Sequence, residues 1–212
     1  MTRLAVPWYV HPAEAPEQWQ RLAALGDRVE FAVVNVADGP GPAGDPYYPQ
    51  ALAMLRSHGI RLYGYVDVDY GRRGVALVAA DVEAWLAQYG VDGIMYDQVA
   101  SGVESLGHNR ILAMLARRAG AGVVVANPGV EPCPELLDLF DVTCVFENDA
   151  TAYGQLEPPP AVVNPERRWH LVHGVQTGEL DAVLDRVSAL GAGLAFVTDR
   201  PGPHPWDGLA RC

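Results

Sequence analysis

The sequence has 212 residues, of which 50% are hydrophobic, and it carries a formal net charge of -11. A chain of this length can bury a sizeable core as one globular domain. The negative charge repels phosphate backbones and anionic lipids, so we expect neither nucleic-acid binding nor attachment to a membrane surface.

Strand-like and helix-like segments alternate along the chain. Short apolar runs predict strands, and apolar residues at a spacing of 3.6 predict helices. In chain order the predicted segments are strand Leu4–Val10, helix Ala15–Leu25, strand Val29–Val36, helix Tyr48–His58, strand Arg61–Val66, helix Val75–Tyr89, strand Gly93–Tyr96, helix Asn109–Ala119, strand Val123–Ala126, helix Glu135–Phe140, strand Val142–Phe146, strand Trp169–Val172, a helix with its apolar face over Leu180–Leu190, and strand Gly193–Val197.

This alternation predicts the fold. Strands that are separated by helices pair in parallel through right-handed crossovers. Eight strands indicate a small α/β protein, a closed (β/α)₈ TIM-type barrel in a single domain over residues 1–212, with an open doubly wound sheet as the alternative. Because 212 residues is short for such a barrel, some helices must be short or missing, and we expect this around Glu157–Pro160.

Polar side chains follow the predicted strands where a barrel of this kind places its active site. Tyrosine and asparagine among them suit a sugar, whose apolar faces meet aromatic rings and whose hydroxyls meet amides. The candidate residues for binding a substrate are Tyr9, Asn35, Asp67, Tyr70, Gln98, Asn127, His173 and Asp199.

Two carboxylates stand out, because Asp97 and Glu147 each follow an apolar strand directly. Glycoside hydrolysis needs such a pair, one carboxylic acid to protonate the leaving oxygen and one carboxylate as nucleophile or base. The alternative is that Asp97 caps the next helix and Glu147 pairs with an arginine. If residues 97 and 98 are both extended, they point to opposite sides, which favours Asp97 over Gln98 as the chemical residue.

Other chemistries have less support. The six histidines show no metal-binding spacing, and a site formed by His11, Asp67 and His173 would be a guess. The sequence contains no nucleophile elbow, Walker loop or dinucleotide-binding fingerprint. We therefore expect no metal and no cofactor.

Seven motifs resemble the spherulation-specific family 4 proteins, a glycoside hydrolase family with a (β/α)₈ barrel. The motifs occur in matching order over nearly the whole chain: VVNVADGPG (33–41), GYVDVDYGRR (64–73), VDGIMYDQ (91–98), NPG (127–129), VFEN (145–148), HLVHGV (170–175) and FVTDRPGPHPWDGL (196–209). The resemblance implies hydrolysis of glycans that contain α-1,4-linked galactosamine or N-acetylgalactosamine. It also implies an acidic cluster of an Asp-Glu pair after strand four and a Glu after strand six. Asp97 and Glu147 match this cluster, whereas Gln98 stands where the family has Glu.

Three functional hypotheses follow. The first is a glycosidase that acts on an amino-sugar glycan or a smaller glycoside through Asp97 and Glu147. The second is a carbohydrate-binding barrel that has lost turnover, which Gln98 favours because an amide cannot transfer a proton. The third is an intracellular enzyme that binds a small metabolite at the same barrel mouth.

No signal peptide is visible, so the chain is expected to be cytoplasmic as given, or secreted if a leader has been removed. No oligomeric state is indicated.

Overall fold

A computed structural model describes residues 2–42, 45–159 and 162–211 of the chain. Eight parallel strands form a closed barrel in the order in which they occur in the sequence, which confirms the TIM-type barrel over the open sheet. The strands are β1 Arg3–Trp8, β2 Val29–Val34, β3 Arg61–Asp67, β4 Gly93–Asp97, β5 Val123–Asn127, β6 Val142–Asp149, β7 Arg168–His173 and β8 Leu194–Val197. The predicted domain bounds stay a prediction, because Met1 and Cys212 lie outside the described residues.

Helices connect the strands on the outside of the barrel. They are α1 Pro16–Ala23, α2 Tyr48–Ser57, α3 Val75–Ala84, α4 Leu106–Ala119, α5 Pro134–Leu137, α6 Ala150–Gly154 and α7 Leu180–Ala189. Within the described ranges, none of them combines the length and the apolar composition that crossing a bilayer requires.

Two helical segments differ from the sequence-based expectations. The predicted helix Val75–Tyr89 is α3 followed by a π-helical turn, Trp85–Tyr89. A short helix, α6, follows β6 where the sequence predicted none, and the loop expected around Glu157–Pro160 comes after it, although Pro160 lies outside the described residues. In the described part of the chain no helix follows β8.

Aromatic side chains fill the inside of the barrel. Phe31 of β2 stacks on Tyr63 of β3, with ring centroids 4.5 Å apart, and meets Trp169 of β7 edge to face at 5.3 Å. The Trp169 indole N–H donates to the backbone carbonyl of Ala5 at 3.0 Å, which joins β7 to β1 across the strand between them, β8. This filling makes the barrel a packed core rather than a pore, so polar side chains gather at its mouth.

Strand β6 contains one extra residue, Val145, at a bulge in its register with β7. Cys144 pairs with Trp169, and Glu147 pairs with Leu171. Because Trp169 and Leu171 alternate onto the same face of β7, Cys144 and Glu147 also share one face although three positions separate them. In a regular strand that odd separation would place Glu147 on the outer face. The bulge therefore turns Glu147 into the barrel mouth.

Gly64 of β3 provides a test of the packing between the barrel and its helices. A Cβ atom at this position would lie 2.4 Å from Cγ of Trp85, which is fully buried. We expect Gly64→Ala to lower the free energy of unfolding by about 1–3 kcal/mol through overpacking, measured by urea denaturation.

The matched control is Gly107→Ala in α4, where an added Cβ meets open space. This change should cause no loss, because alanine favours a helix more than glycine does. A loss of equal size in both variants would contradict the packing argument.

Candidate active site

The candidate site lies at the carboxyl ends of neighbouring strands. Asp67, Asp97 and Asn127 are the last residues of β3, β4 and β5, and they lie side by side in the sheet register. Because side chains alternate along a strand, all three leave the same face of the sheet. Glu147 joins them from β6 through the bulge, so the two predicted catalytic carboxylates lie in one cluster.

The amide of Asn127 links the two carboxylates directly. Its Nδ2 donates one hydrogen bond to Oδ1 of Asp97 at 2.8 Å and another, short one to Oε2 of Glu147. An amide nitrogen carries two hydrogens, so this arrangement uses both of them. Asn127 is only 5% exposed, and among the described residues its Oδ1 has no hydrogen-bond partner.

Each carboxylate receives a second hydrogen bond on its other oxygen. The Tyr65 hydroxyl donates to Oδ2 of Asp97 at 3.0 Å, and the Trp206 indole N–H donates to Oε1 of Glu147 at 3.1 Å. Our sequence analysis missed both donors. Tyr65 could have been found because it alternates with Asp67 along β3, whereas nothing in the sequence places Trp206 next to Glu147.

The surroundings of the pair change its protonation. Burial, and then the charge of Glu147, raise the pKa of Asp97 to about 6. Burial also raises the pKa of Glu147, although the hydrogen bonds from Asn127 and Trp206 oppose this rise. Two carboxyls so close together release their protons in coupled steps, so the pair can hold one acid and one carboxylate at the same pH.

The alternative roles for the two carboxylates are wrong. The next long helix, α4, begins at Leu106, well beyond Asp97, and Asp97 instead accepts from Tyr65 and Asn127. Among the described residues no arginine forms an ion pair with Glu147. Carboxyls with raised pKa values in a cleft are common at functional sites.

A cavity of about 410 Å³ opens beside the pair. Tyr65 and Trp206 belong to its wall, and these two residues donate to Asp97 and Glu147. Tyr9 also lines it and meets Tyr65 edge to face at 5.4 Å. The full lining is Tyr9, Asn35, Val36, Ala37, Asp38, Tyr65, Pro203, His204, Trp206 and Asp207.

Several predicted binding residues hold loops at the mouth. The Asn35 side chain accepts from the backbone N–H of Gly39 at 2.9 Å, and Asp67 accepts from that of Asp69 at 2.7 Å. Asp199 accepts from the backbone N–H of Arg211. His173 meets Trp206 edge to face at 6.0 Å, and burial lowers its pKa.

Gln98 and Tyr70 both lie in the left-handed backbone region, with φ of 55° and 51°. The Tyr70 backbone N–H donates to the Gln98 carbonyl at 2.7 Å. The extended conformation that we assumed for residue 98 is therefore wrong, and alternation says nothing about where its side chain points. Gln98 does not line the cavity, and the Tyr70 ring is 53% exposed. Non-glycine residues in this region store backbone strain, which is common at functional sites.

Among the residues that the structure describes, no group of three or more His, Cys, Asp or Glu side chains is arranged to hold a metal ion.

Comparisons with known proteins agree on the fold and the family. The family model described as spherulation-specific family 4 matches residues 3–211. Spherulin-4 of Physarum polycephalum is 25% identical over an alignment that covers 93% of this chain and 63% of the relative's length.

Among solved structures, Aspergillus clavatus Sph3 in complex with GalNAc has a TM-score of 0.84 at 25% identity, covering 99% of this chain and 93% of that chain. A chitinase from Chromobacterium violaceum has a TM-score of 0.56 at 13% identity, covering 88% of this chain and 77% of that chain, which shows a common fold.

The raised pKa of Asp97 predicts how stability depends on pH. The unfolded carboxyl ionises near 3.8 and the folded one near 6, so between these values the folded protein keeps a proton that the unfolded chain has lost. Stability therefore falls as the pH rises through this window, and the cost persists above it. We expect Asp97→Asn to raise the free energy of unfolding at pH 7.5 by about 1–3 kcal/mol, measured by urea denaturation.

At pH 3.5 this gain should vanish, because the wild-type carboxyl is then protonated in both states. The control is Glu83→Gln, which makes the same change at an exposed position of α3. It should alter stability by less than about 0.5 kcal/mol at either pH. A gain in Asp97→Asn that is the same at both pH values would contradict the assignment.

Proposed function

Since the chain belongs to spherulation-specific family 4, whose model matches residues 3–211, we propose that it is a glycoside hydrolase that cleaves α-linked galactosamine or N-acetylgalactosamine glycans. The observation that carries this proposal is the partly buried pair Asp97 and Glu147, joined by the amide of Asn127 beside the cavity. The similarity to Sph3 in complex with GalNAc supports the class of ligand.

The proposed reaction uses the two carboxyls in different protonation states. One carboxylic acid donates its proton to the glycosidic oxygen as the bond from that oxygen to the anomeric carbon breaks. The other carboxylate attacks the anomeric carbon and forms a glycosyl ester. Water then displaces this ester, losing a proton to the first carboxylate, and both groups return to their starting states.

The cavity lining supports an amino sugar as substrate. The rings of Tyr9 and Tyr65 offer surfaces for the apolar faces of a sugar. Asp38 in the same lining suits an ammonium group of unacetylated galactosamine. Asn35, Asn127, His173 and the remaining candidates stay predictions as substrate contacts. So do the cytoplasmic location and the small-metabolite alternative.

The test is release of reducing ends from α-1,4-galactosamine oligosaccharides, acetylated and unacetylated. We expect the wild type to cleave at least one of them. Asp97→Asn and Glu147→Gln should each lower kcat about 10²- to 10⁴-fold or more, since each removes one of the two chemical groups. Glu83→Gln, an exposed change of the same kind, should keep full activity.

Gln98→Glu separates the second hypothesis from the first. If the wild type is silent and Gln98→Glu cleaves, the protein is a carbohydrate-binding barrel that has lost turnover. If neither cleaves, the glycosidase proposal is wrong, and a small metabolite is the next ligand to test.

The spacing of the pair predicts the stereochemical outcome. Both carboxylates contact the same nitrogen of Asn127, so their nearest oxygens lie roughly 5 Å apart. Retaining glycosidases place their carboxyls about 5–5.5 Å apart, and inverting ones leave about 6.5–9.5 Å for a water molecule. We therefore expect net retention, with the α-anomer as the first product in ¹H NMR spectra recorded during hydrolysis. A β-anomer as first product would contradict the nucleophilic role.

A further inference from the structure

Residues 198–211, which we call the C-terminal strap, follow β8. The backbone carbonyl of Trp206 accepts from the Tyr9 N–H at 3.1 Å. Arg200 holds the strap internally, with Nε bonded to the Leu209 carbonyl at 2.9 Å and Nη1 bonded to Asp207 at 2.6 Å. The end of the strap is bound to α1, where Gln18 Oε1 accepts from the Leu209 N–H at 3.3 Å and Arg21 donates to the Ala210 carbonyl at 3.1 Å.

The strap forms one wall of the cavity. Pro203, His204, Trp206 and Asp207 line it opposite residues from β1, β2, β3 and their loops. Trp206 is 7% exposed and packs against Phe196 of β8 at 5.9 Å and against His173 of β7 at 6.0 Å. Side chains of β7 and β8 therefore hold the indole ring, while its N–H donates to Glu147.

The hydrogen bond from Trp206 to Glu147 differs from those that the other indole N–H groups make. Trp19, Trp85 and Trp169 donate to the backbone carbonyls of Val10, Tyr65 and Ala5. In the described part of the chain, Trp206 is the one tryptophan whose N–H bonds to a carboxylate. A buried indole that serves only packing can satisfy its N–H on any nearby carbonyl, so a contact with Glu147 indicates a function beyond packing.

We propose that Trp206 is a positioning residue, which fixes the Glu147 carboxylate opposite Asp97 and so makes the C-terminal strap part of the active site. This inference rests on the proposed glycosidase function. Asn127 binds one oxygen of Glu147 and Trp206 binds the other, so the two donors together define the plane of the carboxylate. Without the indole N–H, one oxygen of a buried carboxylate loses its partner, and the charged form becomes harder to hold.

The first test is Trp206→Phe, which removes the N–H donor and keeps an aromatic ring against Phe196 and His173. We expect kcat to fall about 10- to 100-fold, the range for one hydrogen bond to a charged group, while KM changes less than about twofold. The limb of the pH profile that belongs to Glu147 should move to higher pH, because the lost donor stabilised the carboxylate. Trp19→Phe removes an equivalent buried N–H far from the pair and should leave kcat and both limbs unchanged.

The second test needs no activity. In ¹⁵N-labelled protein, the indole resonance that disappears in Trp206→Phe should shift with pH as Glu147 titrates. The shift should be absent in Glu147→Gln and still present in Asp97→Asn. The Trp19 resonance serves as the internal reference.

The two tests separate failure of this inference from failure of the proposed function. A silent wild type whose Trp206 resonance follows Glu147 would refute glycoside hydrolysis and support the positioning contact. An active wild type whose Trp206 resonance ignores Glu147 would overturn the positioning role, and so would an unchanged pH profile in Trp206→Phe.

Discussion

The site depends on one constraint, which is that two partly buried carboxylates must stay side by side. Like charges at this distance repel, and each ionised group loses the solvation of water. Asn127 meets this constraint with one amide, whose two hydrogens bond to Asp97 and Glu147. Tyr65 and Trp206 satisfy the remaining two oxygens. Four hydrogen bonds do not remove the cost, since the pKa of both carboxyls stays raised, and that residual cost favours a proton on the pair up to a pH of about 6.

The closed barrel brings together, from separate parts of the chain, the residues that hold the two carboxylates in place. The last residues of β3, β4 and β5 are Asp67, Asp97 and Asn127. They reach the barrel mouth by the ordinary alternation of side chains, because they lie in register. In β6, ordinary alternation would not place Glu147 at the mouth. The extra residue Val145 brings Glu147 to the inner face. The fourth hydrogen bond comes from Trp206 in the strap beyond β8. Such a site lowers the free energy of unfolding, and the packed aromatic interior of the barrel offsets this loss.

The sequence predicted the barrel and the two carboxylates because both depend on local patterns. Apolar runs and helical spacing repeat along the chain, and Asp97 and Glu147 directly follow apolar runs. The bulge at Val145 could not be predicted, since an extra residue in β6 looks like any other apolar residue. Trp206 lies 59 positions from Glu147, so no local pattern connects them. The left-handed backbone at Gln98 was also missed, because glutamine has no preference for that region.

The left-handed backbone of Gln98 bears on the departure from the family pattern. Every oxygen of Asp97 and Glu147 accepts a hydrogen bond from Tyr65, Asn127 or Trp206, and residue 98 acts on Asp97 through its backbone, which lowers the pKa of that carboxyl. An amide at position 98 adds no charge beside Asp97. A glutamate there would add a third negative charge next to two that already raise each other's proton affinity. The proposed mechanism assigns the acid and the nucleophile to Asp97 and Glu147, so it does not require a third carboxylate at position 98.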